Sequence, residues 1–171
     1  HYERAVREFA AHKPFTPHLR AALAIAPKFP AALALSGLAS ALSGRAAGMQ
    51  AARALAVEAQ DAVTMAGGGT AFERVLSSAL DSASAGRLKR AAHHLEEHLV
   101  AHPEDLLAIK LAHALRFMTG QSGHMEKTSA GVLPSWSPAM PGYGFVLGCR
   151  AFALEEGGRL REAEVVGRLA F

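Results

Sequence analysis

Gly86-Arg-Leu-Lys-Arg-Ala91-Ala-His-His-Leu95-Glu-Glu-His-Leu-Val-Ala-His-Pro103 is the stretch that decides the fold. Its marker is a glycine, then an alanine five residues on, then a proline seventeen residues on. Gly86 ends a first helix, because glycine takes a left-handed cap conformation without a Cβ penalty. Ala91 stands where a second helix crosses the first closely. Pro103 cannot continue that second helix, so it opens the next unit. A further apolar run then reaches Gly120, 34 residues after Gly86 and 17 after Pro103.

The same proline-to-glycine spacing runs from Pro27 to Gly44 and from Pro141 to Gly158. The glycines Gly44, Gly86, Gly120 and Gly158 are 42, 34 and 38 residues apart. A unit of 34 residues built from two helices is the period of the tetratricopeptide repeat. The longer intervals carry insertions of eight and four residues, placed in Ala66-Gly-Gly-Gly-Thr70 and in the Pro134–Pro141 loop. Repeats tolerate such insertions because each packs mainly on its neighbours. The expected fold is all-α, a right-handed α-α superhelix (a tetratricopeptide-repeat-like solenoid) of about four helix pairs. It forms a single domain over 1–171, with repeats near 16–65, 70–103, 104–132 and 141–171.

Composition bounds the partners. Half of the 171 residues are hydrophobic and only 6% aromatic, which suits closely approaching helices rich in Ala and Leu. The net charge is +3, with bases scattered among acids. Arg87, Lys89 and Arg90 are followed by Glu96 and Glu97, so no nucleic-acid partner is expected. One cysteine, Cys149, excludes an internal disulfide and fits a reducing compartment, hence a cytoplasmic protein. Cys149 reads as a small core residue. No apolar run reaches the roughly 18 residues of a membrane span, so no membrane partner is expected.

Helical spacing places helices over 2–11, 17–26, 30–43, 46–65, 70–85, 88–101, 104–119, 123–132, 143–156 and 159–171. Thr16 is the expected N-cap before Pro17. Thr70 and Glu73 form a capping box. Gly37 marks a point where two helices touch. The three glycines after Ala66 lack the Lys-Ser/Thr of a phosphate loop and read as a plain connector. Val165, Val166, Leu169 and Phe171 form an apolar face left for another repeat, as in the front part of a longer chain. The same face could instead join two copies as a homodimer.

His102-Pro-Glu-Asp-Leu-Leu-Ala-Ile-Lys-Leu-Ala-His113 and the stretch from Pro134 to Glu164 carry a family resemblance. The matching residues are Pro134, Trp136, Pro138, Tyr143, Val146, Leu147, Gly148, Phe152, Leu154, Glu155, Gly158, Ala163 and Glu164. The chain resembles the tetratricopeptide repeat protein 38-like family, whose members are more than twice this length. A later histidine-bearing helix of that family has no counterpart here, and Leu76 stands where the family often has histidine. The resemblance implies a soluble helical-repeat protein and supplies no reaction.

His94-Leu-Glu-Glu-His98 matches the H-x-x-E-H pattern of inverted zinc proteases, with two histidines four apart on a helix. The blander reading is a solvated face carrying His93 and His102, with His98 partly packed. His113 takes a slot where the repeat wants Gly or Ala. It is either a buried structural histidine or a ligand residue lining a groove. Trp136 and Tyr143 flank the Pro134–Pro141 loop, which either packs over helix ends or lids a pocket. Groove candidates are Lys110, His113, Ala114, Phe117, Trp136, Tyr143 and Arg150, with Glu155 beside them. No catalytic residue, cofactor or metal ligand is assigned. The expected function is a scaffold that binds a protein or peptide in its concave groove. The alternative is a small-molecule binder or enzyme with a pocket around His113 under the Pro134–Pro141 loop.

Overall fold

Gly44, Gly86, Gly120 and Gly158 take φ values of 66°, 77°, 66° and 78°, each just past the end of a helix. The glycine ladder read from the sequence is therefore a ladder of left-handed helix stops. The computed structural model describes residues 1–170, and Phe171 with its expected place on an apolar face lies outside them. Among the described residues there are ten α-helices, one 3-10 turn and no strand. They are α1 (Tyr2–Ala10), α2 (Thr16–Ile25), α3 (Pro30–Leu42), α4 (Ala46–Met65) and α5 (Ala71–Ser84). Then come α6 (Leu88–Ala101), α7 (Leu106–Met118), α8 (Ser122–Val132), the turn Leu133–Ser135, α9 (Tyr143–Glu156) and α10 (Leu160–Leu169).

Three of the stops share one hydrogen-bond pattern. Past α5, Arg87 N–H donates to the Ser82 carbonyl at 2.8 Å and Gly86 N–H to Ala83 at 2.9 Å. Gln121 and Gly120 close α7 in the same way, and Arg159 and Gly158 close α9. These are the paired bonds that satisfy the last carbonyls of a helix. Gly44 differs. There the Ser43 hydroxyl donates to the Ser40 carbonyl at 2.6 Å and accepts from Arg45 N–H at 3.4 Å, relaying the contact.

The chain divides into two compact units, residues 1–95 and the residues from Glu96 onward. In the first, α3 packs on both α4 and α5, and these two pack on each other. Pro30, Ala31, Ala32, Leu33, Ala34, Leu35, Gly37, Leu38 and Ala41 are all buried, so α3 is apolar nearly all round, as a central helix must be. Arg53 on α4 donates to the Ser84 carbonyl at 3.3 Å, satisfying an acceptor at the end of α5. The capping box at Thr70 forms as read. Its hydroxyl accepts from Glu73 N–H at 3.2 Å, and the Glu73 carboxylate accepts from Thr70 N–H at 2.8 Å.

In the second unit α7 packs on α8, α8 on α9, and α9 on α10. Helix α7 begins at Leu106, two residues later than the spacing suggested, because Asp105 caps it. The Asp105 carboxylate accepts from Ala108 N–H at 3.0 Å. Helix α2 begins at Thr16 itself, one residue early, with Phe15 at the cap position and no side-chain bond. No residue of α10 is buried, and Leu160, Val165 and Leu169 are all exposed, while Val166 is half-buried. No helix among the described residues is long and apolar enough to cross a membrane.

Candidate functional site

Lys110, His113 and Phe117 recur at helical spacing and form one stripe along α7. Phe145, Cys149 and Phe152 form the matching stripe along α9. The two stripes meet. The Lys110 ammonium lies 4.8 Å from the centre of the Phe145 ring. The ring centres of His113 and Phe152 are 5.6 Å apart. Phe117 meets Phe152 edge-on at 5.2 Å, a favoured arrangement for aromatic quadrupoles. The seam is graded along its length. Lys110 is buried at one end, whereas Phe117 is 51% exposed and Met118 41% exposed at the other.

Burial sets the protonation states. It lowers the Lys110 pKa from its ordinary value, and the Cys149 thiol opposes this. It pushes His113 down to about 4, with the Lys110 charge adding to the effect. It pushes the Cys149 thiol up to about 12, against the pull of Lys110. At neutral pH the imidazole is uncharged and the sulfur is protonated. A nucleophilic cysteine needs the opposite shift, so the seam holds no activated thiol.

Beside the seam lies a cavity of about 10 Å³, lined by Glu96, Ile109, Ala112, His113, Arg116, Met125, Thr128, Ser129 and Cys149. That is room for about one water molecule. Its polar wall is an ion pair that sequence reasoning missed. Arg116 Nε donates to Glu96 Oε1 at 2.9 Å, and its Nη2 donates to the other oxygen. Arg116 Nη1 donates to Gln121 at 2.6 Å, and the Thr128 hydroxyl donates to Glu96 at 3.1 Å. Arg116 is 5% exposed. One signal for it was present: Arg116 falls four residues after Ala112, in the buried register of α7. Its partner, twenty residues back on another helix, carried none.

The remaining groove candidates lie elsewhere. The Trp136 indole is buried and donates to the Pro103 carbonyl at 2.9 Å. Gly142, at φ 97°, approaches Leu106 and the Trp136 ring so closely that a Cβ would sit 3.0 Å and 3.5 Å from them. The Pro134–Pro141 loop is thus fastened over the first turn of α7 and contributes no residue to the His113 cavity. His113 lies about 10 Å further along the helix than Leu106. Tyr143 is half-buried at the start of α9, and Ala114 is half-buried on α7. Arg150 turns to α8, donating to the Glu126 carbonyl at 3.1 Å with the carboxylate at 3.5 Å.

His98 of the H-x-x-E-H stretch is held by Asp105 at 3.0 Å, the same carboxylate that caps α7. Its ring stacks on His102 with centres 4.6 Å apart. Among the described residues no three His, Cys, Asp or Glu side chains converge as a metal site. No protein-family model and no solved structure matches the chain.

Proposed function

We propose that the chain is a helical-repeat binding module that holds a peptide or protein segment on the face shared by α7 and α9. Its helix pairs wind as a right-handed superhelix of the tetratricopeptide kind, it works in the cytoplasm, and it does no chemistry on what it binds. One observation carries the reading: Phe117, half exposed, stands edge-on against Phe152 where α7 meets α9. An aromatic held rigid by a neighbour and open on one side is the usual anchor of an interface. The test is amide chemical-shift mapping of the labelled protein with a pool of short apolar-anchored peptides. Shifts gathered around Phe117 and Phe152 support the reading. Shifts absent at millimolar peptide, with the protein folded, overturn it.

A second reading has its own support in the cavity at His113. A neutral imidazole and a thiol beside a buried ion pair suit a small polar ligand, provided the seam opens beyond the space of one water. Native mass spectrometry tests it. A bound mass that disappears in His113→Ala supports this reading, and a bare chain at its sequence mass speaks against it. The exposed Leu160, Val165 and Leu169 on α10 favour a homodimer as a separate property, measured by sedimentation against a Leu169→Glu variant.

A further inference from the structure

We infer that the segment held on the α7–α9 face is basic, with an apolar anchor on Phe117 and Phe152 and lysines or arginines meeting Glu155 and Glu156. This rests on the peptide-docking reading above and adds the chemical class of the partner.

Register comes first. Glu155 and Glu156 are three and four residues after Phe152, so they share its face of α9. Both are exposed. Three arginines of α7, α9 and the turn after α9 are already engaged. Arg116 is paired with Glu96, and Arg150 with Glu126. Arg159 is paired with both Glu126 and Glu162. Among the described residues neither Glu155 nor Glu156 has an ion-pair partner within 4.0 Å.

The helix itself adds to the negative field. Glu155 and Glu156 are the last two residues of α9, where the free carbonyls give the helix its negative end. No basic residue stands in that last turn. Two carboxylates at the wrong end of a helix oppose the fold locally, and such conflicts gather at functional surfaces. A cation arriving from a partner relieves both charges at once. The exposed face of Phe117 adds attraction for the same cation through its ring quadrupole. On the α7 side of the seam the Lys110 ammonium is buried against Phe145, Arg116 is paired with Glu96, and His113 is neutral. An acidic segment would meet two carboxylates and a helix C-terminus.

The test uses three labelled peptides with the same Leu and Phe anchors, flanked by Lys and Arg, by Gln, or by Glu. Affinities are measured by fluorescence anisotropy at low and raised salt. The basic peptide is expected to bind tightest and to weaken with salt, because exposed pairs are screened. Glu155→Gln and Glu156→Gln should each weaken it by about threefold and together by about tenfold, with no effect on the Gln-flanked peptide. Equal binding of all three peptides, or no effect of the paired Glu→Gln change, overturns the basic-partner inference and leaves the docking face standing. Tighter binding of the Glu-flanked peptide reverses the charge class. Binding of none of them, with circular dichroism unchanged, removes the docking face itself.

Discussion

A Cβ on Gly37 would lie 2.6 Å from Leu80 Cδ2, 2.7 Å from its Cδ1 and 3.2 Å from Leu55 Cβ. Leu80 is fully buried, so it has nowhere to turn. On an exposed helix face Gly→Ala gains about 1 kcal/mol of helix propensity. At this crossing the added methyl overpacks the core, which costs about 1–3 kcal/mol. Gly37→Ala is expected to lower the urea midpoint, and the double variant with Leu80→Ala to lose less than the sum of the two single losses. A higher midpoint for the single variant would show that α3 and α5 do not touch there.

The ion pair behind the cavity should behave as a unit. Arg116→Met leaves Glu96 half-buried with only Thr128 to satisfy it, a loss of about 3–5 kcal/mol when a buried partner is removed. Removing both charges with Glu96→Leu restores much of this, because the stranded carboxylate is gone. Denaturant unfolding of the two single variants and the double variant measures the coupling. Additive losses would mean that the pair contributes nothing as a pair.

His113 makes stability depend on pH. Its folded value of about 4 lies below its ordinary 6.5, so the unfolded chain takes the proton first. The stabilisation from the neutral imidazole is fully present above pH 6.5 and is lost as pH falls toward 4. A shift of that size corresponds to roughly 3 kcal/mol. The groups around the imidazole are Lys110, Cys149, Glu96 and Arg116. Lys110→Met removes the cation that adds to the depression, so the His113 resonance should titrate at higher pH. His113→Phe is expected to flatten the profile between pH 4 and 6.5, read from urea midpoints at several pH values. An unchanged slope in that variant would assign the acid sensitivity to other groups.

The single tryptophan reports on the loop that it fastens. Trp136→Phe keeps most of the packing beside Gly142 but loses the bond to Pro103, a loss of about 1 kcal/mol. Wild-type emission should be blue-shifted, as for a buried indole, and should shift red in one step with global unfolding. A red emission maximum in the folded protein would place Trp136 in solvent.

Much of the architecture was legible in the sequence because its markers act locally. Gly86 and Gly120 need a left-handed φ, Pro103 cannot continue a helix, and Thr70 with Glu73 closes a box within four residues. What escaped depends on contacts between distant residues or on competing local ones. Asp105 overrode the apolar pattern and delayed α7. Glu96 looked like one charge on a solvated face until α7 and α8 brought Arg116 and Thr128 to it. Lys110 looked like a groove residue from register alone, and Trp136 from its place in the Pro134–Pro141 loop; the Lys110 ammonium is buried over the Phe145 ring, and the buried Trp136 indole donates to the Pro103 carbonyl. His113 was open between a buried structural residue and a groove-lining one; it is half-buried, with its ring beside Phe152.

The most direct measurement is calorimetric titration of the basic, apolar-anchored peptide into the wild-type protein and into Phe117→Ser. Phe117 is half exposed, so its loss should lower the thermal midpoint only modestly, by the lost contact with Phe152, and leave the protein folded. Expected is saturable one-to-one binding to the wild type, with a negative heat-capacity change from apolar burial, reduced at least about tenfold by Phe117→Ser. Equal binding by the two folded proteins would contradict docking on the α7–α9 face.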